Sequence, residues 1–158
     1  VRFKKQFLKQ YLLAEGRYAG GRLRLVKPLS YMNRSGDIFP EILRRTGSRV
    51  EDILVVCDTL DLPPGRCRLK RKGSSAGQKG LESIIRKLGR SDFLRLYIGI
   101  GRPGRRTDVV DYVLSEPRGE EALLLEEAAH RACDAVLQLM EGGLERIMNV
   151  VNKKNAEP

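Results

Sequence analysis

Cysteine is scarce in this 158-residue chain: Cys57, Cys67 and Cys133 are odd in number and form no CxxC pair. Neither a disulfide framework nor a zinc site is indicated, and a reducing, cytoplasmic setting is the economical reading. Long apolar runs are missing as well. None approaches the roughly 18 residues of a membrane span, so no membrane is expected among the partners. The basic start, VRFKKQFLKQYLL, lacks the apolar stretch and small-residue cleavage site of a signal peptide. An amphipathic organelle-targeting helix is the alternative reading of that segment. Acidic side chains are the minority, 20 against 30 Lys and Arg. The resulting charge of +10 and pI near 9.9 ask for an anionic partner, with nucleic acid ahead of a membrane surface.

What is present reads as one domain over residues 1–158, long enough for a single core, with 41% hydrophobic and 32% charged residues. Gly20-Gly21 is a turn before a short strand, Leu23–Val26. A helix is expected from about Asp37 to Arg45, with Asp37 as N-cap, Pro40 in the first turn and Gly47 as C-cap. Ile53–Cys57 is apolar without interruption and reads as a strand buried on both faces. Arg66–Lys70 alternates, with Arg66, Arg68 and Lys70 on one side and Cys67 and Leu69 on the other. Leu81, Ile84, Ile85 and Leu88 recur at helical spacing and are closed by Gly89. Leu94–Ile100 is another strand, and helices follow over Glu120–Met140 and Leu144–Lys153. The interleaving predicts an α/β fold, a single three-layer domain with a mixed, mostly parallel sheet flanked by helices.

The chemistry-bearing residues crowd one stretch, ILVVCDTLDLPPGRCRLKRKGSSAGQKG. Asp58 and Asp61 follow the C-terminal end of a strand, the edge where α/β sheets present ligand sites. An aspartate there can hold a histidine as general base; equally, Asp58 can cap a turn, and Asp61 can help form the turn at Pro63-Pro64-Gly65. Arg66, Arg68, Lys70, Arg71 and Lys72 fall within seven positions. A charge run of this kind is often only a solvated face. Here Lys79 and the small-residue loop Gly73–Gly77, which opens a helix, point to phosphate as well. Asn33, after Tyr31-Met32, can donate to a substrate carbonyl or stabilise its own turn. The arrangement expected is an acid at a sheet's rim facing a cationic shelf.

Two features read as incidental. Gly99, Gly101 and Gly104 match GxGxxG after a strand, but Arg102-Pro103 interrupts them and no acid-bearing second strand follows. His130, the one histidine, lies in the long C-terminal helical pattern beside Ala129 and Cys133 and reads as a structural or surface residue.

Taken in order, KPLSYMNRSG, ILVVCDTLDLPPG, GSSAGQKGLESIIRKLG, FLRLYIGIGRPG and VVDYVLSEP resemble the bacterial peptidyl-tRNA hydrolase family from about Leu23 onward. The resemblance implies cleavage of the ester joining a peptide to the terminal ribose of tRNA. It implies a histidine base activating water, an aspartate orienting it, asparagines placing the substrate, and neither metal nor cofactor. On that reading Asp58 is the orienting aspartate, while Tyr31, Asn33 and Lys79 stand at substrate-binding positions. Arg66, Arg68, Lys70, Arg71 and Lys72 would meet the tRNA, and the protein would be a cytoplasmic monomer.

The departures concern the base. The family's GNPG-like turn and RHN-like segment do not occur here, and where it has GGHNGL this chain has Gly77-Gln78-Lys79-Gly80-Leu81. Gln78 replaces a histidine, and Lys79 replaces an asparagine that offers both donor and acceptor. The chain is therefore expected to lack the family's N-terminal strand and helix and to be weak or inactive as a hydrolase. The alternative is a relative that binds RNA without cleaving, like the related plastid intron-splicing factors.

Overall fold

Residues 2–18 fold as strand and turn rather than as an amphipathic helix. In the computed structural model, which describes residues 2–104 and 108–153, β1 (Lys4–Lys5) pairs antiparallel with β2 (Tyr11–Tyr18), and β2 with β3 (Gly21–Pro28). Ala19 and Gly20, both at positive φ, make the tight turn that joins β2 to β3. Tyr11 and Leu13 alternate inward and bury against Ile38, with Val26, Phe39 and Ile42 packed around them.

The chain gathers into two compact units: one formed by the chain up to Ile53 with Arg71–Phe93, the other by Leu54–Lys70 with the chain from Leu94 onward. In the first unit, β3 leads into a 3-10 helix, Met32–Ile38, and then into α1, Phe39–Thr46. Asp37 is not the N-cap. It lies inside the 3-10 segment, Ile38 occupies the cap position, and the Asp37 carboxylate accepts from Arg34 and Lys87, each at 3.0 Å. Pro40 sits in the first turn and Gly47 closes the helix in the left-handed conformation, both as expected. α2 runs Lys79–Leu88 and ends on left-handed Gly89.

The 3-10 helix and α2 lie against each other through Gly36, whose N–H donates to Ser83 Oγ at 3.0 Å. A Cβ on Gly36 would stand 2.2 Å from the Ser83 carbonyl oxygen, a backbone atom that cannot swing aside. Gly36→Ala is therefore expected to destabilise this unit by about 1–3 kcal/mol, read as a lowered denaturation midpoint.

The second unit holds a three-stranded sheet ordered β4 (Leu54–Thr59), β6 (Leu94–Gly99), β5 (Cys67–Lys70). The fold is α/β with a mixed, helix-flanked sheet, as the pattern implied, but not a mostly parallel one. Among the described residues the one parallel ladder is β4 with β6; β5 and both pairings of the first sheet are antiparallel. The Pro63-Pro64-Gly65 turn explains β5: Arg66 N–H closes on the Pro63 carbonyl, and left-handed Gly65 reverses the chain.

The long helix α4 (Gly119–Glu141) follows a short α3 (Val109–Leu114) that no pattern had indicated. Ala128, Ala132 and Ala135, spaced along one face of α4, bring it close to Cys67, Leu69 and Leu96, and α5 (Leu144–Lys153) adds Ile147. The Asn152 side chain on α5 brackets Leu69, accepting from its N–H at 2.9 Å and donating to its carbonyl at 3.1 Å. It thus satisfies the open edge of β5 as another strand would. Ile53–Cys57 is not buried on both faces. Val56 is 50% exposed, because α4 and α5 cover β5 and β6 and leave outer β4 partly bare.

Candidate functional site

The residues singled out from the sequence divide between the two units. In the first, Tyr31, Met32 and Asn33 open the 3-10 helix, and Gln78 and Lys79 open α2. The two N-terminal ends lie together: Gln78 Nε2 is 3.8 Å from Met32 Sδ, and a Cβ on Gly80 would stand 2.7 Å from that sulfur. Tyr31 is 83% exposed, and Asn33 and Lys79 are exposed beside it. Tyr31, Asn33 and Lys79 are thus exposed at adjoining helix ends and carry phenol, amide and ammonium groups able to donate or accept.

Gln78 has a role that its identity did not announce. It is the N-cap of α2, and its side-chain oxygen accepts from Leu81 N–H at 2.7 Å. One of the helix's unpaired N–H groups is thereby satisfied from within, which removes a donor from any anion arriving there. Lys79 keeps a 3.8 Å contact with Glu82, both side chains more than half exposed, so the ammonium remains accessible to a stronger anion. Arg71 and Lys72 are exposed at the start of the Gly73–Gly77 loop in the same unit.

In the second unit Asp58 sits at the C-terminal end of β4, the rim where a ligand site was expected. Its sheet register settles which way it faces. Asp58 pairs with Ile98 and Arg68 with Tyr97, adjacent residues of β6 that point to opposite sides of the sheet. Ile98 and Cys67 belong to the α4 side, where Cys67 Sγ lies 3.5 Å from the Ala128 carbonyl. Asp58 therefore lies on the helix-covered side and Arg68 and Lys70 on the other. The acid does not face the cationic shelf.

The shelf itself is shorter than expected. Arg66 precedes the strand and lines a cleft of about 520 Å³ with Arg131, Asp134 and Leu124. Arg68 and Lys70 remain as the strand's paired cations. Lys70 Nζ stands 5.9 Å from the centre of the Tyr97 ring, within cation–π range. Asp61, expected to help form the Pro63-Pro64-Gly65 turn, has its carboxylate 2.6 Å from Arg102. The loop after β4 is held instead by backbone bonds, Ile100 N–H to the Thr59 carbonyl and Gly101 N–H to the Leu62 carbonyl.

Burial pushes the Cys57 thiol up to about 12, the Asp58 charge adding to the effect and Arg95 opposing it. Cys57 therefore stays protonated and unreactive near neutrality. His130 is exposed on α4, as its surface reading implied. Arg95, fully buried on β6, had no signal in the sequence beyond its place in a strand.

Comparison with known proteins places this scaffold. A family model described as peptidyl-tRNA hydrolase matches residues 1–158. A peptidyl-tRNA hydrolase of Persephonella marina is 42% identical over 132 residues, covering 84% of this chain and 70% of that one. One of Geobacillus kaustophilus is 41% identical over 135 residues, covering 85% and 73%. The crystal structure of peptidyl-tRNA hydrolase from Acinetobacter baumannii superposes with a TM-score of 0.88 at 33% identity, over 96% of this chain and 76% of that one. The chain belongs to the peptidyl-tRNA hydrolase family.

Proposed function

We propose that the protein acts on peptidyl-tRNA, binding the tRNA end and hydrolysing the ester between it and the peptide. The observation that carries this reading is the match of residues 1–158 to one hydrolase family. Arg68 and Lys70 take backbone phosphates; Arg66, Arg71 and Lys72 add to the basic surface. Asp58 stands at the position that orients the family's general base, a histidine with no counterpart among these residues, and Tyr31, Asn33 and Lys79 hold the acyl end. Asp58 and Arg68 lie on opposed faces of the sheet, so the proposal assigns them to different parts of the ligand.

Ester hydrolysis needs a base to deprotonate the attacking water and donors for the developing oxyanion. The RHN-like segment in which the family carries that base does not occur within these 158 residues, and Gln78 is spent on capping α2. Turnover by this chain alone is therefore expected to be slow relative to a family member that has the histidine. The test is release of N-blocked amino acid from an N-blocked aminoacyl-tRNA, with tRNA affinity measured in parallel. Binding with weak turnover that falls further in Asp58→Asn supports the proposal. Absence of both binding and turnover overturns it.

One observation favours a second reading, an RNA-binding relative without hydrolysis: the exposed Lys79 where the family has asparagine. Lys79→Asn separates the two. Lower tRNA affinity with no gain in turnover supports the binder, and a gain in turnover supports the enzyme. The proposal includes a cytoplasmic monomer. It is in keeping with three free cysteines, and no helix among the described residues is long and apolar enough to cross a membrane. Sedimentation of the purified chain checks the oligomeric state.

A further inference from the structure

The β1–β2 turn presents an exposed apolar pair that nothing in the hydrolase site uses. Phe7 is 87% exposed and Leu8 is 85% exposed, and Lys9 N–H closes the turn on the Gln6 carbonyl. Leu8 has φ of 55°, a left-handed position that glycine or asparagine occupies at lower cost. The fold therefore accepts backbone strain and two solvated apolar side chains at the same point.

The base of this turn is pinned. Arg45 on α1 donates to Gln6 Oε1 at 2.9 Å and to the hydroxyl of buried Tyr11 at 3.3 Å, and Lys9 pairs with Glu41 at 3.0 Å. The tip is thus held outward on a rigid mount. Apart from Glu41 at its base, the charges that flank it along the chain are of one sign. Arg2, Lys4 and Lys5 are exposed, Phe3 is 43% exposed among them, and the chain's first acidic residue is Glu15.

We infer that this tip is a second nucleic-acid contact, with Phe7 stacking on an unpaired base and Arg2, Lys4 and Lys5 holding the flanking phosphates. Charge complementarity selects an anionic partner, and an exposed aromatic ring within a cationic surface is what sequence-tolerant binding of single-stranded nucleic acid uses. The tip is part of neither β4, which carries Asp58, nor β5, which carries Arg68 and Lys70. The inference rests on the tRNA reading of the family while adding a contact of its own.

The test compares wild type, Phe7→Ala and Lys4→Glu/Lys5→Glu in binding a short single-stranded oligoribonucleotide and a blunt RNA duplex. Arg68→Glu/Lys70→Glu against tRNA is the reference arm. Phe7→Ala is expected to weaken the single strand roughly five- to a hundred-fold and leave the duplex unchanged. Lys4→Glu/Lys5→Glu should weaken both and flatten the salt dependence. If tRNA binding responds to the Arg68 and Lys70 reversals while Phe7→Ala changes nothing, the tip inference is overturned and the tRNA reading stands. If wild type binds no RNA at all, both fall. Unchanged RNA affinity with Phe7-dependent binding to anionic phospholipid vesicles assigns the tip to a membrane and overturns the inference. A lowered melting temperature in Phe7→Ala would show that the ring is buried in solution, which also overturns it.

Discussion

Gly99→Ala is expected to be among the most damaging single substitutions in the chain, although it adds one methyl group. That Cβ would stand 2.2 Å from the Pro63 carbonyl oxygen and 2.7 Å from both the Leu62 Cβ and its carbonyl oxygen. The loop cannot withdraw. Gly99 N–H donates to the Arg66 carbonyl at 2.7 Å, and Ile100 and Gly101 bind the Thr59 and Leu62 carbonyls at 3.0 and 2.8 Å. The expected loss is at the upper end of about 1–3 kcal/mol, seen as a lowered denaturation midpoint with the denaturant slope unchanged. Gly104→Ala is the control, since nothing lies within 4 Å of its Cβ position; it should stay within about 0.5 kcal/mol of wild type. An undisturbed Gly99→Ala protein would show that the loop after β4 is not seated on β6. The contrast also explains the GxGxxG spacing. Gly99 admits a backbone crossing and Gly101 adopts φ of 72° beside Pro64, so neither glycine implies a dinucleotide.

The second large effect is on RNA. Arg68→Glu with Lys70→Glu should weaken tRNA binding roughly 25- to 60-fold at 0.1 M salt, taking about 0.7–0.9 decades of affinity per phosphate contact relative to 1 M. Repulsion from the introduced carboxylates adds to that loss. The slope of log affinity against log salt should flatten by about 1.4–1.8 for the two contacts. The fold should survive. Lys70 is exposed and Arg68 half-exposed, both on the side of β5 away from the α4 core. An unchanged slope would remove this strand from the tRNA interface, whatever the change in affinity.

Much of the scaffold was legible because its signals are local. Helical spacing and a following glycine were enough for α2 with its Gly89 cap, and the same logic found α1 with Pro40 and Gly47. β6 and α5 were found within a residue of their observed bounds, as apolar runs between breakers. The eight-residue strand β2 went unread because YLLAEGRY starts apolar and carries Gly16 in its middle, so its alternation shows only once β3 is paired with it. Six-residue α3 was too short for any periodicity.

The candidate site divides along the same line. Residue type and order alone placed Asp58 at a strand end, alternated Arg68 and Lys70 with Cys67 and Leu69, and carried the family resemblance. Which face Asp58 occupies depends on its register with β6, two strands that meet from distant parts of the chain. The exposure of Val56 depends on which strands α4 covers, and the employment of Gln78 depends on where α2 begins. Local propensity records what a residue can do within its own turn or strand. Pairing partners, covering layers and unsatisfied N–H groups are properties of assembled elements, and folding had to bring those together first.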